Sequence, residues 1–223
     1  MRLALSLLAS LPLFAQNASL TGTVLDTTGA YVPKASAELN SGIKKYQAKA
    51  DDTGVYRFVN LPAGEYTLKI SVLGFKTLTI KFIALSDNEQ KRTPDVTLET
   101  GRGCGDPSYR DFVRLLPSPT SFGRLSGSVL PAMAGVQITL VCRTFQPCGS
   151  TKTDSSGAFS FEMLSAGVYG LSFSRAGFFP EDARGYFYTV NTGLESVYGP
   201  ILLEKCPDGN CEAKIQRILP ICE

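Results

Sequence analysis

Hydrophobic and polar positions alternate in short runs from Leu20 onward: LTGTV, KASAEL, VYRFVNL and TLKISVLGF, set apart by DTTGAYVP, DDTG and PAGEY. Short runs rich in Val, Ile, Thr, Tyr and Phe, punctuated by Gly, Pro and Asp, predict β-strands joined by tight turns. Within YTLKISVLGF, Leu68, Ile70 and Val72 fall on one face and Thr67, Lys69 and Ser71 on the other, so one side of this strand is core and the other wet. No long helical period interrupts the pattern, and the fold class expected is all-β.

The pattern occurs twice. DDTGVYRFVNLPAGEYTLKISVLGF from Asp51 aligns without a gap on DSSGAFSFEMLSAGVYGLSFSRAGF from Asp154, with eleven of 25 positions identical. The match extends outward to LTGTV and LSGSV, and to the closing VTLE and ILLE. Each copy is far longer than a solenoid repeat and can close its own core, so a duplicated domain is expected. The predicted core is Val24, Leu39, Phe58, Leu68, Ile70 and Phe82, with Val129, Leu140, Phe161, Leu171, Phe173 and Phe187 as counterparts.

Between the copies, DPSYRDFVRLLP offers Asp106 as a cap and Pro107 in the first turn. Tyr109, Phe112, Val113 and Leu116 follow at helical spacing, so a short amphipathic linker helix is predicted. The organisation expected is a signal peptide over 1–18, a sandwich over 19–100, a linker over 101–122, a second sandwich over 123–205 and a Cys-containing tail over 206–223.

Composition narrows the setting. Lys and Arg number 22 against 20 Asp and Glu, a net charge of +2 with no long run of either sign, which gives no footprint for nucleic acid. MRLALSLLASLPLFAQ carries one Arg and then an apolar run too short to span a bilayer but suited to a secretory signal, with cleavage expected near Ala15 to Ala18. No later stretch is apolar enough for a transmembrane span. Six cysteines in an exported chain favour disulfides over metal ligation. Spacing favours Cys142 with Cys148 and Cys206 with Cys211, which leaves Cys104 with Cys222.

Gly22, Asp26, Gly29, Val32, Ala35, Asp51, Gly54, Tyr56, Phe58, Leu61, Ala63, Gly64, Tyr66, Leu68, Ser71, Gly74 and Phe75 together resemble the carboxypeptidase regulatory-like domain. The second copy keeps the later half of that pattern but reads LPAMAG where the first loop has its Asp and Gly. The resemblance implies two tandem transthyretin-like, Greek-key β-sandwiches, akin in fold to starch-binding-like carbohydrate-binding modules. It transfers architecture far better than function.

Catalytic chemistry finds little support. With no histidine in the chain, a carboxypeptidase-type zinc site, a Ser-His-Asp triad and imidazole acid–base work are all excluded. The carboxylates of DDTG and DSSG read as turn residues rather than calcium ligands, so no cofactor is expected. Sugar binding rests on FFPEDARGYFYTV: Phe187 aligns with Phe82, which turns Tyr186 and Tyr188 outward as a stacking platform, with Glu181, Asp182 and Arg184 nearby to supply hydrogen bonds. The alternative is that these tyrosines pack on the linker or tail. The expected function is that of a secreted bacterial protein, periplasmic or extracellular, acting as a non-enzymatic binding module for a protein or glycan partner at the cell envelope.

Overall fold

A computed structural model describes residues 18–101, 112–117, 120–180, 187–207 and 211. Residues 1–17 of the expected signal segment, Cys104 and Cys222 lie outside that set, while Ala18, assigned to that segment, opens the first strand. The first copy comprises β1 (Ala18–Asp26), β2 (Ser36–Asn40), β3 (Lys45–Lys49), β4 (Val55–Leu61), β5 (Gly64–Ser71), β6 (Leu78–Leu85), β7 (Gln90–Arg92) and β8 (Val96–Leu98). β9 (Phe112–Leu115) follows. The second copy comprises β10 (Gly123–Leu130), β11 (Gln137–Val141), β12 (Pro147–Lys152), β13 (Ala158–Leu164), β14 (Gly167–Ser174), β15 (Phe187–Val190) and β16 (Leu194–Leu202).

Each copy folds as two layers. In the first, β4, β1 and β7 with β8 face β3, β2, β5 and β6; in the second, β13, β10 and β16 face β12, β11, β14 and β15. Two separate apolar clusters fill the layers. Val24, Leu39, Phe58, Leu68 and Ile70 are buried in the first, and Val129, Leu140, Phe161, Leu171 and Phe173 in the second, as the alternation predicts.

Two shared devices explain why the copies keep their punctuation. In register, Gly22 lies opposite Tyr56 and Gly127 opposite Phe159. A Cβ on Gly22 would sit 2.2 Å from the Tyr56 hydroxyl and 2.1 Å from Thr93 Oγ1, and one on Gly127 would sit 2.7 Å from Phe159 Cζ. The aromatic ring of the neighbouring strand lies across the glycine, so no side chain fits there. The Tyr56 hydroxyl bonds Thr93 Oγ1 at 2.6 Å, and burial pushes its pKa up to about 12 despite that bond. At the hairpins, Asp51 Oδ1 accepts from Thr53 N, Thr53 Oγ1 and Val55 N at 2.9, 2.7 and 3.0 Å. Asp154 repeats this with Ser156 N, Ser156 Oγ and Ala158 N at 2.8, 2.6 and 3.0 Å. These bonds, led by the Thr53 and Ser156 hydroxyls, hold both carboxyls below their ordinary pKa. Gly54 and Gly157 close the turns at φ 71° and 78°.

Two expectations are corrected. The linker is not helical where it is described: Phe112–Leu115 is strand β9, and the described residues contain no α-helix. Phe82 is not core but 54% exposed, at φ 59°. Between Tyr66↔Ile83 and Leu68↔Ile80 the β5–β6 ladder gains one residue on β6, a bulge that lets Ile80 and Ile83 both face inward and expels Phe82. The side chain of its counterpart, Phe187, lies outside the described set.

Candidate functional site: the junction between the two copies

β9 lies between the copies and pairs with both. It runs parallel to β6, with Ile80↔Val113 and Lys81↔Arg114, and antiparallel to β16, with Leu194↔Leu115, Glu195↔Arg114 and Ser196↔Val113. One layer of each copy thus becomes part of a single eight-stranded sheet, in the order β13-β10-β16-β9-β6-β5-β2-β3. Phe, Val and Leu suit the pleated surface, and Val113 and Leu194 are both buried in the first core. On the other face, the Phe112 ring meets expelled Phe82 edge to face, centroids 5.7 Å apart, and Lys81 Nζ lies 4.6 Å from the Phe112 centroid.

That other face carries a ladder of alternating charge across the junction. Arg114 donates through Nε and Nη2 to the two carboxylate oxygens of Glu195, at 2.7 and 3.0 Å. Ser126 Oγ donates to Glu195 Oε1 at 2.6 Å, and Arg124 Nη1 lies 3.6 Å from Oε2. Arg124 Nε in turn donates to Glu162 at 2.6 Å. Arg114, Glu195 and Arg124 are direct cross-strand partners, so the register of β9, β16 and β10 sets the ladder. Glu195 is only 3% exposed. Burial alone would raise its pKa, but the Arg114 and Ser126 hydrogen bonds and the two guanidinium charges outweigh it and hold the carboxyl below its usual value. The bond to Glu195 likewise raises Arg114.

Loops complete the contact. Thr97 N donates to Asn191 Oδ1 at 2.9 Å, Thr189 Oγ1 bonds Glu99, and a Cβ on Gly193 would meet Pro94 at 2.8 Å. A carboxylate held by a bidentate guanidinium is a poor proton acceptor and a good fastener. Chemically, the arrangement fixes geometry.

The predicted sugar platform fares differently. Glu181, Asp182, Arg184 and Tyr186 lie outside the described residues. Tyr188 is turned inward: it pairs with Tyr169 in register, is 8% exposed within the second core and lies against Tyr198, centroids 3.7 Å apart. Tyr188 occupies the position of inward-facing Ile83, so the face assigned to it by counting from Phe82 is reversed. Ser174, Arg175, Ala176, Phe178, Pro180 and Cys211 line an open cleft of about 420 Å³. Cys206–Cys211 and Cys142–Cys148 form disulfides with S–S distances of 2.06 and 2.00 Å. Among the described residues, no group of three or more Asp, Glu or Cys is placed to hold a metal.

Sequence reading missed Arg114, Arg124, Ser126 and Glu195. One signal was available: repeat alignment sets Ser19 and Gln90 against Arg124 and Glu195, a neutral pair against a charged one.

Residues 19–99 match the family model for the carboxypeptidase regulatory-like domain. The comparison with curated proteins yields no match. Among solved structures, the chain resembles the Bacillus anthracis TIE protein at 15% identity and TM-score 0.33, covering 85% of this chain and 34% of that one. It resembles the minor pilin GBS52 of Streptococcus agalactiae at 14% and 0.32, covering 88% and 99%. BcpA, the major pilin subunit of Bacillus cereus, matches at 8% and 0.30, covering 85% and 100%. The chain thus spans about a third of the length of the TIE protein.

Proposed function

We propose that this chain, whose residues 19–99 form a carboxypeptidase regulatory-like domain, is a secreted, non-enzymatic interaction module of two tandem transthyretin-like sandwiches held at a fixed mutual orientation. Its loops and sheet edges dock a protein partner at the bacterial cell envelope. The observation that carries this reading is β9, shared by both sheets and fastened through Arg114 and Glu195. A fixed angle suits docking, because orientation already fixed by folding is not lost again on binding. The apolar run from Leu3 to Phe14 and the two disulfides support export. No described helix is long and apolar enough to cross a membrane.

A second reading, carbohydrate binding through the second sandwich, draws on the cleft beside Phe178, Pro180 and Arg175, from which Glu181, Asp182, Arg184 and Tyr186 follow directly in sequence. Small-angle scattering joined to a glycan-array screen separates the two. The expected result is one rigid particle and no retained glycan. A bimodal or broad distribution of inter-domain distances overturns the rigid module. Glycan retention that is lost in Tyr186→Ala and Arg184→Ala moves the function to the second sandwich.

A further inference from the structure

The two copies treat one sheet edge differently. β3 ends the eight-stranded sheet, separated from the junction strand β9 by β2, β5 and β6. In an antiparallel ladder, residues alternate between exchanging hydrogen bonds with the partner strand and turning both backbone groups away. Ala50 N donates to Ala35 O at 2.9 Å and Ser41 N to Lys44 O at 3.0 Å, so with Ala37↔Ala48 and Leu39↔Tyr46 in register, Tyr46 and Ala48 bond to β2. The N–H and C=O groups of Lys45, Gln47 and Lys49 therefore point outward, and no described residue bonds to them. Their side chains are exposed as well.

Counting back from Asp51 and Asp154, the strand that matches β3 is β12, with Pro147 and Cys148 in place of Lys44 and Lys45. There the ladder shifts between Leu140↔Gly149 and Val141↔Pro147, and Cys148 is tied back to Cys142. A bulge and a proline blunt an edge; β3 has neither, and its pairing with β2 from Ser36↔Lys49 to Asn40↔Lys45 runs without a shift. We propose that β3 is a docking edge, and that it receives by strand addition an extended segment of a protein partner with carboxylates opposite Lys45 and Lys49. This rests on the reading of the chain as a docking module, and it names the edge used and the chemistry of what docks there.

Charge selects that occupant. Lys45 Nζ reaches Glu38 at 3.1 Å, Lys44 Nζ lies 4.9 Å from the centroid of the Tyr46 ring, and Lys49 has no ion pair among the described residues. Asp51 and Asp52 stand in the turn beyond Lys49, so the basic stretch is the strand itself. A second copy of the chain is disfavoured. Two β3 strands pairing antiparallel about Gln47 would set Lys45 opposite Lys49 at both ends, and like charges directly opposite are destabilising. A strand with a carboxylate at each of those places meets both lysines and bonds the outward backbone groups between them.

The probe is a blocked peptide, Thr-Val-Glu-Val-Thr-Val-Glu-Val-Thr, titrated onto the full oxidised chain and followed by NMR and hydrogen exchange, with the same peptide carrying Lys for Glu as control. The expected result is saturable binding of the Glu peptide that slows exchange of the Lys45, Gln47 and Lys49 amides, with the Lys peptide about threefold weaker or more. Gln47→Pro should weaken binding about tenfold at an unchanged unfolding midpoint, since it removes an outward donor and no bond to β2. Replacing Lys45 and Lys49 together by Glu should invert the preference, which keeps the test decisive if the proline variant fails to fold. Absence of Glu-peptide binding, equal binding of the two peptides, or binding undiminished in a folded Gln47→Pro would overturn the proposal. So would protection of those three amides in the free chain that rises with protein concentration, which would place a second copy on the edge. Scattering reads the rigid module separately: one rigid particle without peptide binding sinks the docking edge alone, and peptide binding to a chain with a broad distribution of inter-domain distances sinks the fixed orientation alone.

Discussion

Glu195→Gln keeps the shape but removes one charge and turns one accepting oxygen into an NH2 donor: with the amide oxygen at the Oε1 position Ser126 and Arg114 Nη2 can still donate, while Arg114 Nε loses its acceptor. What is lost is one of the two hydrogen bonds from Arg114, the ionic character of the other and the pull of Arg124. Hydrogen bonds to charged groups are worth roughly 1.5–3 kcal/mol each, and breaking a fully buried pair costs about 3–5 kcal/mol. Here the Arg114 side chain is 48% exposed and can turn to water, so the lower end applies and we expect a loss of about 2 kcal/mol. For a unit of the size of one copy, residues 19–99, that is a fall of about 8–16 °C in the unfolding midpoint. The pH dependence has a defined sign. The folded carboxyl titrates below its ordinary value of 4.5, so its contribution is complete above that value and fades as pH falls from it through the folded pKa. Thermal unfolding of wild type and variant across this range is the assay. The gap should be open at neutral pH and narrow in acid. A variant within about 1 °C of wild type at neutral pH, or a gap undiminished in acid, would refute the assignment of Glu195 as the fastener.

Two further outcomes follow from the same packing. Phe58→Ala should cost about 3–5 kcal/mol, while Phe82→Ala, which removes a half-exposed ring from Phe112, should cost about 1 kcal/mol; urea denaturation showing equal losses would dismiss the bulge on β6. Replacing Cys142 and Cys148 together by Ser should cost about 2 kcal/mol, from the short loop they close. Hydrogen exchange should place the loss in β11 and β12, with β1 to β6 unmoved.

What the sequence shows and hides divides along physical lines. Alternation exposed the faces of β4, β5 and β14, because a strand with one buried side has a period of two that needs no partner to be seen. Phe82 and Tyr188 were assigned to the wrong faces because a bulge inserts one residue, and a one-residue slip exchanges the faces beyond it. Nothing in the residues themselves marks the insertion; it shows only in the ladder against β5.

The linker failed for a different reason. Tyr109, Phe112, Val113 and Leu116 do fall at helical spacing, yet Phe112, Val113 and Leu115 are equally acceptable in a strand, and a short helix in isolation is marginal. Two sheet edges lie on either side of β9, those of β6 and β16, and a strand between them satisfies backbone groups on both. Long-range pairing therefore overrides local periodicity. The charge at Glu195 points the same way. The first copy has Gln90 at that position and no strand beyond β7 among the described residues, whereas the second has an acid and receives β9. Where two copies of one fold differ by a buried charge, the difference locates the surface on which something else must lie, and here that something is Arg114.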